Sequence, residues 1–151
     1  MKLLLMLFAL TTATNLTAQD SSSFSFTYNH QALSVKDVER SAAFYKNILK
    51  LEEITNRTKM EGIRWFSLGE GKELHLVSIL PGEIKINKAV HLALACKNIN
   101  AFIKHLTAMH IPFSDWPGTP NKITLRADGV QQIYLQDADG YWLEVNTAAQ
   151  N

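Results

Sequence analysis

The chain has 151 residues, of which 46% are hydrophobic and 19% charged, and a formal net charge of +1. That is enough apolar material for one core in one domain. The near balance of charge argues against a nucleic-acid partner, which would need a basic excess or stripe. No apolar run reaches the roughly 18 residues of a membrane helix, so no membrane span is expected in the mature protein.

The amino terminus stands apart. Lys2 precedes an apolar run over residues 3–10, and a small polar stretch follows to Gln19. A basic start, a short apolar middle and a small-residue end read as a secretory signal peptide over residues 1–18, with cleavage after Ala18. Leu16 at the −3 position is not ideal for that bond. Residues 19–25, polar and serine-rich, read as a flexible lead-in. The expected location is therefore periplasmic or secreted. Cys96 is the sole cysteine, so no intrachain disulfide can form. It reads as a small buried hydrophobe.

Residues 26–35 read as a strand. Asp37 is a suitable N-cap for a helix in which Val38, Ala42, Tyr45 and Leu49 recur at helical spacing. Residues 63–68 and 72–79 alternate as two strands of a hairpin across Gly69-Glu70-Gly71, and Pro81-Gly82 closes this half. The plan then repeats. Residues 89–96 form a strand, and Asn98 caps a helix carrying Ile99, Phe102, Ile103 and Leu106, which ends by Pro112. Residues 116–121 hold Pro117, Gly118 and Pro120 and form a loop, either a lid, which its length and Trp116 favour, or a plain surface connection. Residues 130–136 and 141–146 form a second hairpin around Asp137-Ala138-Asp139-Gly140.

The halves also match residue by residue. His30-Gln31-Ala32-Leu33-Ser34-Val35-Lys36-Asp37-Val38 lies over His91-Leu92-Ala93-Leu94-Ala95-Cys96-Lys97-Asn98-Ile99. Two copies point to a pseudo-twofold pair of modules, spanning about residues 26–80 and 88–147 of a domain over 26–147. The overlay pairs His30 with His91. In the last strands, Leu74-His75-Leu76 lies over Leu143-Glu144-Val145, which pairs His75 with Glu144. Side chains alternate along a strand, so these four groups point away from their apolar neighbours and project from the opposite face. A histidine alone in a strand is usually structural. Three imidazoles and a carboxylate at two symmetric pairs of positions are ligands for a divalent transition metal. Glu73 shares the face of His75 and competes as a ligand, but its counterpart is Trp142. His105 and His110 lack counterparts and read as surface residues. Arg57, Arg64 and Arg126 are candidates for binding an anion, although scattered arginines are usually solvated.

These motifs resemble the vicinal oxygen chelate superfamily, which includes glyoxalase I, extradiol dioxygenases and bleomycin-binding proteins. The opening His30-Gln31-Ala32-Leu33-Ser34-Val35, with Ser41, Phe44 and Tyr45, is similar to the family's first module. The run Tyr134-Leu135-Gln136-Asp137-Ala138-Asp139-Gly140-Tyr141-Trp142-Leu143-Glu144-Val145 is similar to its last hairpin, with Ala138 where proline is usual. The resemblance implies an α+β fold, two βαβββ modules in a pseudo-twofold arrangement that form a curved sheet around a metal site. It places the ligands on His30, His75, His91 and Glu144. His75 stands where glyoxalase I has a carboxylate, so a divalent ion here would keep about one net positive charge.

The expected cofactor is one divalent metal ion (Zn, Ni, Fe or Mn), and the expected partner a small-molecule substrate with vicinal oxygens. The expected assembly is a homodimer. The leading expectation is a glyoxalase-like lyase or isomerase that stabilises an enediolate-like intermediate by Lewis acidity. Glu144 or Glu73 would serve as the catalytic base. The alternatives are an iron-dependent dioxygenase and a non-catalytic small-molecule binding protein.

Overall fold

The computed structural model describes residues 27–80, 82–83 and 85–148. The expected signal peptide, the serine-rich lead-in and the first residue of the expected opening strand lie outside the described residues. No helix among the described residues is long and apolar enough to cross a membrane.

The chain contains β1 (His30–Ser34), α1 (Val38–Asn47), β2 (Glu53–Ile54), β3 (Ile63–Gly69) and β4 (Lys72–Val77). The second set is β5 (His91–Ala95), α2 (Ile99–Ala108), β6 (Thr124–Leu125), β7 (Gln131–Gln136) and β8 (Trp142–Asn146). Both helices start where the sequence places them. Asp37 accepts from the N–H groups of Glu39 and Arg40, and Asn98 accepts from that of Ala101, which satisfies donors left open in a first turn. The two-residue strands β2 and β6 are too short to show a periodic pattern and are not apparent from the sequence.

Each module builds one four-stranded sheet, in the orders β1-β4-β3-β2 and β5-β8-β7-β6. The two sheets have the same plan, as the sequence repeat implies. The registers repeat with the sequence. His30 sits opposite Glu73 and Ala32 opposite His75, while His91 sits opposite Trp142 and Ala93 opposite Glu144. Within the chain the expected curved sheet is thus two separate sheets, and β1 and β5 are each an edge strand.

The opposite faces form a shared core. Leu33, Phe66, Leu74 and Leu76 of the first sheet and Ile133, Leu135, Leu143 and Val145 of the second are buried in one cluster with Tyr45 and Leu106 of the helices. Strand alternation that buries leucines on one side leaves histidines on the other. Polar ties also lock the modules together. Tyr45 Oη donates to Asp137 Oδ2 at 2.6 Å and Tyr141 Oη to the Ser34 carbonyl at 2.8 Å. The Lys36 N–H donates to Asp139 Oδ1 at 2.9 Å. His105, expected at the surface, is instead half-buried, with Nε2 3.1 Å from the Ile48 carbonyl at the end of α1. Its ring has the apolar body needed at a helix–helix seam, which the repeat overlay could not reveal. His110 is exposed. Cys96 is a free thiol, half-buried against the core.

Candidate functional site

The first module's polar face is a stack. The His30 and His75 rings lie 4.4 Å apart at 17°, and Trp65 stacks on the other face of His75 at 4.0 Å and 8°. Strand pairing sets this up, because Ala32 and Trp65 flank His75 on neighbouring strands and the alanine leaves room for His30. The Arg57 guanidinium covers the Trp65 ring at 4.4 Å and binds both oxygens of Glu73 at 2.8 Å. Glu73 in turn lies 2.9 Å from His75 Nε2. The hydrogen bond from His75, followed by that from Arg57, holds the Glu73 carboxyl below its usual range. Of the three candidate arginines only Arg57 reaches this face. Arg64 pairs with Glu39 and Glu53, and Arg126 with Asp128.

The second module's polar face is organised around a buried carboxylate. Glu144 is 7% exposed. Tyr134 Oη donates to its Oε2 at 2.7 Å, and Asn146 Nδ2 donates to Oε1 at 2.7 Å. Gln132 Nε2 donates to the Tyr134 oxygen. Burial, followed by the hydrogen bond to Glu144, raises the Tyr134 hydroxyl above its usual range, so it stays a donor. His91 Nε2 lies 3.3 Å from Glu144 Oε2, and the His91 ring meets Tyr134 edge-on at 5.6 Å. Trp116, from the loop read as either a lid or a surface connection, packs edge-on against Tyr134 at 5.3 Å and lies 6.3 Å from His91.

The four expected ligands therefore come together as two pairs, His30 with His75 and His91 with Glu144. Among the described residues no group of three or more His, Cys, Asp or Glu converges to hold a metal ion. The donor chemistry of the pairs nevertheless fits one. His30 Nδ1 is 2.7 Å from the Asn29 side-chain oxygen and His91 Nδ1 is 2.8 Å from the Lys88 carbonyl. An oxygen acceptor at Nδ1 fixes the proton there and leaves Nε2 with a free lone pair, which is how outer partners orient a metal-binding histidine. The Nε2 of His75 and that of His91 each lie beside a carboxylate, Glu73 at 2.9 Å and Glu144 at 3.3 Å.

Sequence reasoning missed Trp65, Tyr134, Asn146 and Lys88. The first two were within its reach. Trp65 sits opposite His75 as Tyr134 sits opposite Glu144, so the overlay continued into the third strand of each module pairs them. Lys88 had no signal, because it lies in an irregular link. Its Nζ donates to the carbonyls of Asp115 and Trp116 at 2.8 and 2.9 Å, and burial lowers its pKa.

Two βαβββ modules, each presenting an aromatic-lined pair of ligand-type side chains from its first and last strands, define a protein of the vicinal oxygen chelate class. The family model for the Glyoxalase/Bleomycin resistance protein/Dioxygenase superfamily matches residues 27–145, and the chain belongs to that superfamily. The uncharacterized protein YwbC of Bacillus subtilis (strain 168) is 26% identical over 125 residues, covering 77% of this chain and 93% of YwbC. Among solved structures, a glyoxalase family protein from Bacillus anthracis superposes with a TM-score of 0.65 at 21% identity, over 82% of this chain and 96% of that one. Lactoylglutathione lyase from Agrobacterium tumefaciens superposes with a TM-score of 0.61 at 19% identity, over 85% and 95%. The oxidase ChaP-H2 gives 0.64 at 19% identity, over 85% and 98%. These structural likenesses establish the fold.

Proposed function

We propose that this chain is an exported, metal-dependent enzyme of the glyoxalase type, a lyase or isomerase acting on a small substrate with two adjacent oxygens. The observation that carries this reading is the shared orientation of His30 and His91. At equivalent positions of the two modules, each has Nδ1 against an oxygen, which directs the Nε2 lone pair to a metal, and His91 Nε2 lies 3.3 Å from the Glu144 oxygen that would share the ion. His75 and Glu144 would complete the ligand set. A bound divalent ion supplies Lewis acidity toward two adjacent oxygens.

The carboxylates divide by their surroundings. Glu73 is engaged by Arg57 and His75 and held below its usual range, which makes it a weak base. Glu144 is the proposed base. Tyr134 and Asn146 aim its two oxygens, and Tyr134 retains its own proton. The same donors would restrict the carboxylate to a narrow range of positions as it takes a proton next to a carbonyl.

We further propose a homodimer in which the His30/His75 pair of one copy faces the His91/Glu144 pair of the other. This is supported by the separation of the pairs within the chain and by the open edges of β1 and β5. Elemental analysis of protein purified without added metal, followed by assays of isomerisation, lyase activity and oxygen uptake, tests the reaction class. Absence of bound metal at pH 7, with no uptake on addition, would sink it. Mixing inactive His75→Ala with inactive Glu144→Ala tests the assembly. Random pairing of a two-chain site should restore about a quarter of the activity. No recovery would place all four ligands in one chain.

A further inference from the structure

We propose that Lys88 is an anion-binding residue of the second half-site and that the substrate carries a carboxylate to match it. The proposal rests on the reading of His91 and Glu144 as part of the reactive centre. Lys88 precedes β5, and its carbonyl accepts from His91 Nδ1. Its ammonium is enclosed by aromatic rings, with Nζ 4.5 Å from the Tyr134 centroid, 4.7 Å from that of Trp142 and 5.5 Å from that of Trp116.

An ammonium has three protons to donate. Two go to the carbonyls of Asp115 and Trp116. Carbonyl oxygens and ring faces stabilise a cation but do not cancel its charge, and the Asp115 carboxylate acts on it only from beyond ion-pair distance, with Oδ1 accepting from the N–H groups of Gly118 and Thr119. The arginines differ. Arg57 is neutralised by Glu73, Arg64 by Glu39 and Glu53, and Arg126 by Asp128. Among the described residues no carboxylate comes within ion-pair distance of Lys88. A half-buried charge with a donor unspent is a costly arrangement that an anionic ligand relieves.

Its position suits a substrate. The Tyr134 ring touches Lys88, Trp116 and His91, and the Tyr134 hydroxyl holds Glu144. A carboxylate held by Lys88 is thus separated from the ligand pair by a single aromatic side chain. The substrate class proposed is therefore a small acid that carries its carboxylate beside two adjacent oxygens. Lysine acts as a point charge and suits one carboxylate oxygen, where arginine would present a fork. Because the same ammonium fastens the Trp116 loop, occupancy by an anion should alter tryptophan emission.

The test is fluorescence titration of the full chain with succinate and with its neutral diamide, in the presence of a chelator so that no metal enters the readout. Succinate should quench emission saturably and the diamide should not. Lys88→Met, which retains the unbranched stem among the rings, should weaken succinate binding about tenfold or more. Equal binding of acid and diamide, no saturable quench, or unaltered binding by Lys88→Met would overturn the proposal. If Lys88→Met does not fold, Lys88→Gln and the wild-type comparison of acid with diamide give the same decision. Elemental analysis of the unchelated protein is a separate measurement, so loss of the metal reading and loss of the anion site are distinguishable.

Discussion

The two modules share one backbone plan and diverge in how they hold their polar groups. The first holds His75 between the flat faces of His30 and Trp65, with Arg57 and Glu73 as an ion pair around its edge. The second fixes a buried carboxylate by a hydroxyl and an amide, with aromatic rings edge-on around it. Stacking constrains a ring's plane but lets it slide. Hydrogen bonds from Tyr134 and Asn146 constrain both oxygens of Glu144. A repeat therefore specifies where a functional group stands, while the side chains around it set its stiffness and its charge. The turns diverge in the same way. Gly69-Glu70-Gly71 is exposed, whereas Asp137-Ala138-Asp139-Gly140 is inserted against α1.

The largest expected effect breaks the symmetry between the two acids. Glu144→Ala should lower metal affinity by more than the roughly 10- to 100-fold that an outer partner is worth, while Glu73→Ala should stay within that range. Calorimetric titration with Zn(II) measures both. Equal losses would show that Glu73, not symmetry with His75, determines the first half-site.

The next concerns the turns. Asp137→Ala leaves the Tyr45 hydroxyl and the N–H groups of Asp139 and Tyr141 without their acceptor. We expect a loss of about 2–3 kcal/mol in urea unfolding. Glu70→Ala in the equivalent turn should leave the urea midpoint essentially unchanged, since Glu70 reaches only Lys72 and is exposed. Comparable losses would mean that the modules are not joined through the second turn.

Much of this was legible in the sequence. Alternation placed His30, His91 and Glu144 on the face opposite the leucines, and the caps Asp37 and Asn98 set both helix starts. The strands β2 and β6 were not legible, because two residues carry no period. The inward role of the Asp137 turn was also hidden. Its composition reads as an exposed turn, and only the packing of Tyr45 and Ser41 shows why both aspartates face protein. The division of the four ligands into two pairs depends on how the sheets pack, which no single-strand pattern encodes.

Removing one hydroxyl tests whether stiffness separates the half-sites. Tyr134→Phe keeps the ring against His91, Trp116 and Lys88 but leaves Glu144 Oε2 without its donor. Metal affinity should fall about tenfold. Arg57→Met, which removes the equivalent charged support from Glu73, should change it less, because the stack on Trp65 still orients His75. A larger effect of Arg57→Met would reverse the assignment of the rigid half.

The smallest effect isolates a charge pair confined to the first module and remote from its polar face. Arg64 on β3 sits opposite Leu76, so it faces the helix side, where its Nε donates to Glu53 and its Nη1 to Glu39. The hydrogen bond from Arg64 is the main cause that lowers the Glu53 carboxyl below its usual value. A carboxyl lowered in the fold binds its proton more readily in the unfolded chain. Its contribution is therefore present above the unfolded value of about 4.3 and is lost as pH falls through the lower folded value. Partial exposure of both partners limits that contribution to less than about 1 kcal/mol. Between pH 5 and pH 3, wild type should lose slightly more stability than Glu53→Gln when followed by urea unfolding at about 0.1 M salt. The difference should shrink as salt is added. Identical pH slopes for the two proteins would show that the pair stabilises nothing. The first module would then match the second, in which no comparable arginine spans helix and edge strand among the described residues.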